Sequence, residues 1–343
     1  MVAAVAPRPC QIVPPRSSRR RLWCLAAVPL LFFTVACGAS NANSGKAAAS
    51  ASASAPSPAA GLSGEVTTSE LVVGSNRFTM GVEDRQRVPI PDASVHFRFF
   101  QLSSSGSASG TVQGTLRSEA DGVFRAPARD AGLPLTETVT RPDGTTRTVP
   151  SVDPNVGVYS ATATFDAPGA WAVEAIVRGK DAAHSGVVQV RFTVLTHSAT
   201  PAIGAPAPRS QNLTVKDVTD LEAIDTSAHP SPDMHTETVA DAIAAHHPAL
   251  VLFATPGYCQ SRTCAPELEI ARKLEPKYAG KVDFIHIEIW QDPLKTYMPA
   301  VLEWHLPSEP WFFIIDREGK ISAKFEGPTT REELDAALQA VAP

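Results

Sequence analysis

Hydrophobic periodicity changes once along this chain, at a proline-rich stretch near residue 200, and the change calls for two different kinds of core. Before it, apolar residues recur at every second position. Val95, Phe97 and Phe99 share one strand face, with His96 and Arg98 opposite. The same alternation groups Tyr159, Ala161, Ala163 and Phe165, then Trp171, Val173, Ala175 and Val177, then Val188, Val190, Phe192 and Val194. Turn signals at Ala167-Pro-Gly169, Gly179-Lys-Asp181 and Ser185-Gly186 separate these runs. Short half-buried strands joined by turns predict an antiparallel β-sandwich over residues 65–196. Its middle, about 103–150, is rich in Gly, Ser, Thr and Pro and reads as a long loop or an extra hairpin around Arg141-Pro-Asp-Gly144. His96 and His184 are single histidines on or beside strands, and a solvated strand face accounts for them better than metal ligation.

Past the boundary at Thr200-Pro-Ala-Ile-Gly-Ala-Pro-Ala-Pro208, the pattern over residues 197–343 mixes both periods. Val239, Ile243 and His246 fall at helical spacing within 236–247, and Ala249 to Ala254 is a continuous apolar run of strand type. Leu268, Ala271, Leu274 and Tyr278 mark one helix face. Ile285, Ile287 and Ile289 alternate with Phe284, His286 and Glu288, and Asp292 to Trp304 reads as helical. Trp311 to Ile315 is an apolar strand, Asp316-Arg-Glu-Gly319 a tight turn, and Ile321, Ala323 and Phe325 a return strand. Thr330 with Glu333 predicts a capping box for a last helix. The order α-β-α-β-α-β-β-α predicts a three-layer α/β fold.

The N-terminal segment reads as an address. Arg16, Arg19, Arg20 and Arg21 precede a fifteen-residue apolar run, Leu22 to Ala36, which is short against the roughly 20 residues of a membrane span. The small residues before Cys37 in Thr34-Val-Ala-Cys37 are similar to a lipobox. That resemblance implies a signal peptide over residues 1–36 and a lipid on Cys37, hence a protein anchored at the extracytoplasmic face of the cell membrane. Ser18-Arg-Arg-Arg-Leu22 also resembles a twin-arginine export signal. Residues 37–64, the lipidated cysteine and an Ala/Ser-rich stretch, are too poor in large apolar groups to bury a core and read as a tether. At about 5–6 Å × √n, such a linker spans on the order of 30 Å. The chain has 30 basic and 35 acidic residues, and removal of the five arginines before residue 37 leaves 25 against 35, a net −10. A chain so charged offers no basic surface for nucleic acid.

Cys10 and Cys24 leave with the signal, so Cys259 and Cys264 are the thiols left for redox chemistry or metal binding. They lie in Thr255-Pro-Gly-Tyr-Cys259-Gln-Ser-Arg-Thr-Cys264-Ala-Pro266, between a strand and a helix. On one regular helix, positions five apart rise about 7.5 Å and face different sides, beyond the ~4.4–6.8 Å Cα separation of a disulfide. Residues 259–263 are therefore read as loop, with Cys264 near the helix start. A helix N-terminus and Arg262 both favour negative charge on sulfur.

The element order, the cysteine pair after the first strand and the proline opening the late hairpin resemble the thioredoxin family, including its membrane-anchored TlpA-like branch, which shares the Gly204-Ala-Pro206 entry. The resemblance covers about residues 200–343. It implies a thioredoxin-like fold in which Cys259 attacks and Cys264 resolves the mixed disulfide. Tyr258 takes the place of the aromatic residue before the first cysteine, and Pro266 that of the helix-kinking proline. Pro310 takes the place of the cis-proline. Glu309, whose backbone would pair with an incoming peptide, joins Tyr258, Arg262, Pro310 and Trp311 as a substrate-binding residue. Exported thiol or disulfide proteins and a membrane redox partner are the implied partners, with no cofactor. The passage Gly157-Val-Tyr-Ser-Ala-Thr-Ala-Thr-Phe165 to Gly169-Ala-Trp-Ala-Val-Glu-Ala175 resembles the late strands of YtkA-like, immunoglobulin-like domains.

Two departures keep other readings open. The family spacing is Cys-x-x-Cys, whereas this chain has Cys-x4-Cys, and the buried acid expected six residues before the first cysteine is Phe253. Glu309, Glu267 and Glu288 are candidate proton acceptors in its place. A non-catalytic module with a structural disulfide is one alternative. Another is copper binding by Cys259, Cys264 and His305, as implied by a likeness to Sco-type chaperones, whose spacing is Cys-x3-Cys; His286 is the other candidate for the distant histidine, and an ordinary strand position accounts for it better.

Overall fold

A computed structural model describes residues 61–342, apart from 104–113, 135, 141–143, 151–152, 260 and 293. The expected signal peptide, the lipidated Cys37 and most of the linker lie outside the described residues. Among the described residues, sixteen strands outnumber five helices, so the protein is mostly β. No helix there is long and apolar enough to cross a membrane.

The first part holds β1 (Ser63–Val66), β2 (Leu71–Val72), β3 (Gly74–Glu83), β4 (Ser94–Leu102), β5 (Gly114–Arg125), the short helix α1 (Pro127–Asp130), β6 (Thr136–Thr140), β7 (Thr146–Pro150), β8 (Val158–Phe165), β9 (Gly169–Arg178) and β10 (Gly186–Leu195). Eight of these strands form one hydrogen-bonded sheet in the order β1-β3-β8-β5-β4-β9-β10-β2. β5 curls it: residues 114–122 pair with β4, and Val123, Phe124 and Arg125 pass to β8. The alternating residues point inward as their period requires. Phe78, Phe97, Phe99, Phe165 and Trp171 are all fully buried. Phe78 meets Phe99 edge-on at 4.9 Å, and Phe165 meets Trp171 at 5.0 Å, the geometry that aromatic quadrupoles favour.

The structure corrects the reading of this part twice. β3 adds a strand to those read from the sequence: the buried Phe78, Met80 and Val82 form its inner face and alternate with Arg77, Thr79 and Gly81 on the other. β5 occupies residues expected to be loop; only the β6–β7 hairpin matches that expectation. β5 is mostly polar and half-exposed and holds its place by pairing with backbone on both sides. Its Gly122 leaves room for a ring: a Cβ there would meet Phe97 Cε2 at 2.8 Å.

In the second part, α2 (Val239–Ala244), β11 (Ala249–Phe253), α3 (Cys264–Tyr278), β12 (Asp283–Ile287), β13 (Trp290–Asp292), β14 (Thr296–Tyr297), α4 (Pro299–Glu303), β15 (Trp311–Ile315), β16 (Ile321–Glu326) and α5 (Arg331–Val341) follow. The sheet order is β12-β11-β15-β16, with β12 parallel to β11 and the other neighbours antiparallel. Leu250, Leu252, Phe312 and Ile314 face the core under α3 and α5, while Val251, Phe253, Phe313 and Ile315 face the core with Val239 of α2 and Val301 of α4. Burial on both faces explains the unbroken apolar runs. The helical cover is thin on the second face, where α2 has 6 residues and α4 has 5. The helix expected over Asp292 to Trp304 is mostly absent. Leu294 turns at φ 58, Trp290 stacks on Tyr297 at 4.4 Å across a small hairpin, and α4 starts only at Pro299. His246 lies beyond the end of α2 at φ 56. Pro266 sits in the first turn of α3, where no N–H is needed; the interior proline is Pro276. The capping box of Thr330 and Glu333 forms.

Buried charge joins the two parts. Arg77 of β3 bonds Glu333 at 2.9 Å and donates to the carbonyls of Glu326 and Pro328. Glu326 accepts the Ser69 N–H on both oxygens. Glu70 would be raised by burial, but hydrogen bonds from Ser198 and Thr200, with Lys324 beside it, lower its pKa to about 2. The turn after α1 puts Ala131 and Leu133 into the core beneath α3. Removing Arg77 strands Glu333 without its main partner. Arg77→Ala is therefore expected to cost about 3 kcal/mol in urea unfolding; a loss below about 1 kcal/mol would mean the join does not rest on this arginine.

Candidate functional site: a thiol pair at a helix start

The loop from β11 to α3 carries Cys259 and leads into Cys264, the first residue of α3, and it is tied at each end. Gly257 N–H donates to Thr226 Oγ1 at 2.9 Å, and Thr226 in turn donates to Glu288 through its N–H and its hydroxyl at 2.7 and 2.6 Å. A side chain at 257 would run into Thr226, whose Cβ lies 2.9 Å from where a Cβ would stand. Further on, Arg262 reverses the chain at φ 60 and α3 begins at Cys264. Thr263, at the cap position, makes no side-chain cap; its hydroxyl lies 2.8 Å from Ser261 Oγ instead. The cap is sulfur: Cys264 N–H points at Cys259 Sγ at 3.3 Å, and Ser261 Oγ lies 3.2 Å from the same atom.

Both thiols are free, and they are unlike. Cys259 is half-buried; the hydrogen bond from the Cys264 thiol lowers its pKa to about 6 against the opposing effect of burial, helped by Ser261 and the N–H groups of Cys264 and Thr263. Cys264 is buried, and burial pushes its thiol well up, reinforced by its bond to Cys259. The Glu309 carboxylate lies within 4.8 Å of both sulfurs. Glu309–Pro310 is a cis peptide.

The other named residues divide by exposure. Tyr258, 39% exposed, and Arg262 flank the pair on the solvent side. Trp311 is 2% exposed, stacked against Phe313, and reaches the site only by donating its ring N–H to Ser308 at 3.0 Å. His305 is exposed in the turn after α4 and belongs to neither group of clustered metal-type donors found among the described residues. Phe253 packs on Trp304 and Phe313. Of the candidate acids, Glu267 is fully buried, raised by desolvation, and accepts the Thr329 N–H at 2.7 Å. Burial raises Glu288 to about 7. Glu309 is the acid that clusters with the sulfurs.

Sequence reasoning missed Ser261 and Thr226, which support the loop. It named His286 but missed Asp225 and His235, with which His286 forms a buried group. His286 Nε2–H donates to Ala254 O at 3.1 Å, His235 Nε2 lies 3.3 Å from His286 Nδ1, and Arg272 bonds Asp225 at 2.8 Å. This chain of bonds props the end of β11 where the thiol loop departs. Three residues so far apart in sequence form no local motif.

No family model matches the chain, and no curated protein matches it. Among solved structures it is similar to a thiol:disulfide interchange protein of the thioredoxin family from Chlorobium tepidum TLS, at 15% identity and a TM-score of 0.29 over 43% of this chain and 99% of that one. It is also similar to a thio-disulfide isomerase from Thermus thermophilus, at 21% identity and a TM-score of 0.27 over 41% of this chain and 99% of that one.

A thiolate is the species that iodoacetamide attacks. In the reduced protein, modification of Cys259 is expected to rise through a midpoint near pH 6 and level off above pH 7. Ser261→Ala should move that midpoint up by about half a pH unit. Cys264 should stay unmodified until the protein unfolds. A Cys259 midpoint near that of a free thiol would remove the basis for its activation.

Proposed function

We propose that the protein is a lipid-anchored, extracytoplasmic thiol–disulfide oxidoreductase, with a YtkA-like, immunoglobulin-like domain preceding a thioredoxin-like one. The inequality of the two thiols carries this reading. Cys259 thiolate attacks one sulfur of a substrate disulfide, forming a Cys259–substrate mixed disulfide and releasing the other substrate sulfur as thiolate. Cys264 then loses its proton and attacks Cys259 Sγ. The 259–264 disulfide forms, and the second substrate thiolate leaves. The substrate is reduced and the protein dithiol oxidised; the same bonds run in reverse when the substrate is a dithiol. Glu309 is the ionisable group placed to take the Cys264 proton as that sulfur attacks.

Copper handling is the second reading, because Cys259, Cys264 and Glu309 form one donor cluster. Its third donor is a carboxylate, a hard ligand, and not the expected His305, so the set fits a soft cuprous ion poorly. Exchange is the better supported chemistry.

In an insulin-reduction assay, Cys259→Ser should lower turnover by more than about a hundredfold. Cys264→Ser should accumulate mixed disulfides, seen as higher-mass adducts on non-reducing gels. Full activity in both variants would exclude the mechanism. For the anchor, Cys37→Ser is expected to move the protein from the membrane fraction to the soluble exported fraction; an unchanged distribution would rule out lipid on that residue.

A further inference from the structure

The buried group beside the end of β11 has the geometry of a cation site apart from the thiols. Asp225, His235 and His286 each offer one donor atom, and these atoms all lie within 4.8 Å of one another. The three side chains are buried, each at most 1% exposed. His235 Nε2 stands 3.3 Å from His286 Nδ1 and 3.7 Å from the nearer Asp225 oxygen, Oδ2. Donors bound to one tetrahedral ion at ~2.0–2.2 Å stand about 3.3–3.6 Å from each other, so these two edges are close to the length such an ion sets.

The atoms behind the donors hold two of them in place. His286 Nε2–H donates to the Ala254 carbonyl at 3.1 Å, which leaves the lone pair on Nδ1, the atom facing His235. A ligating histidine is fixed in this way, by its second nitrogen on a carbonyl. The Asp225 carboxylate accepts the Ser227 N–H on Oδ1 and, on Oδ2, the Ser231 N–H at 3.0 Å and the Arg272 guanidinium at 2.8 Å. His235 differs. Its Nδ1 is buried with no hydrogen-bond partner among the described residues, so no bond there dictates which nitrogen carries the proton. With the proton on Nε2 the group is a hydrogen-bonded chain. With it on Nδ1, the lone pairs of both imidazoles and the carboxylate converge, an arrangement that is costly in a buried place until a cation joins it. A cavity of ≈ 350 Å³, lined in part by Ile224, His286 and Glu288, borders the group and gives it an entry path.

We propose that Asp225, His235 and His286 form a binding site for one divalent ion of the zinc type, with water in a fourth position. Two neutral imidazoles and one carboxylate are a donor set that zinc accepts, whereas calcium and magnesium ask for oxygen throughout. The thiols take no part in it, and the proposal stands whether or not they exchange disulfides. Asp225 adjoins Thr226, which receives the Gly257 N–H, so a bound ion ties the anchor of the thiol loop to β12.

A full chain with every cysteine replaced by serine, purified without a histidine tag, offers no thiolate ligand and isolates this site. Titrated with cobalt(II), it should develop visible d–d absorption that saturates at one equivalent without a thiolate charge-transfer band, and zinc should displace the cobalt. In that background Asp225→Asn and His235→Gln should each weaken binding by at least about a hundredfold. His305→Ala should leave it unchanged. X-ray absorption of the zinc-loaded chain reads the ligands with none of them mutated, and should give a nitrogen and oxygen shell at ~2.0–2.1 Å with two imidazoles. A variant that fails to fold therefore leaves the assignment decidable. No saturable binding by the cysteine-free chain, binding unaltered in both variants, or a shell with fewer than two imidazoles would overturn the site and leave the group a hydrogen-bonded prop.

Discussion

One hydrogen bond organises the thiol site: the N–H that opens α3 is turned on the sulfur of Cys259 rather than on a hydroxyl or carboxylate. A helix start offers unsatisfied N–H groups and a partial positive charge, and it favours whatever anion fills the cap. Here the anion is a thiolate held by a loop longer than a single helical turn. Arg262 in a left-handed conformation and the Ser261–Thr263 hydroxyl pair let that loop fold back on the helix. Had both cysteines occupied one helix, their sulfurs would have faced apart. Because the second instead begins the helix and the first caps it, one sulfur is half-exposed and stabilised as an anion while the other is buried and kept protonated.

What the sequence made legible was what strong local signals encode. The apolar runs of β11 and β15, the Thr330–Glu333 capping box and the start of α3 near Cys264 are each set by a few adjacent residues. The misreadings fall where structure depends on distant partners. β5 is polar enough to pass for loop, and two neighbouring strands supply its pairing. Asp292 to Trp304 has apolar residues at tolerable helical spacing, but the stacking of Trp290 on Tyr297 favours a hairpin. Of the site, the cysteines and Glu309 could be named in advance. The Asp225–His235–His286 prop could not, since its members come from a coil, a short turn and a strand.

Carboxylates sit in the contact between the two parts, where an apolar seam would have been simpler. Each is answered: Glu70 by Lys324 and two hydroxyls, Glu326 by Ser69 and Ser308, Glu333 by Arg77. Desolvating such groups costs several kcal/mol each, and only well-placed partners offset it. Apolar surfaces tolerate sliding; these pairs do not. The contact therefore fixes one orientation of sandwich against thiols.

The short helix α1 leads Ala131 and Leu133 across from the sandwich into the core beneath α3. The half of the chain that carries the thiols thus shares its interior with the sandwich half. A C-terminal fragment cut near residue 200 would lack those two residues and leave apolar surface of α3 open to water.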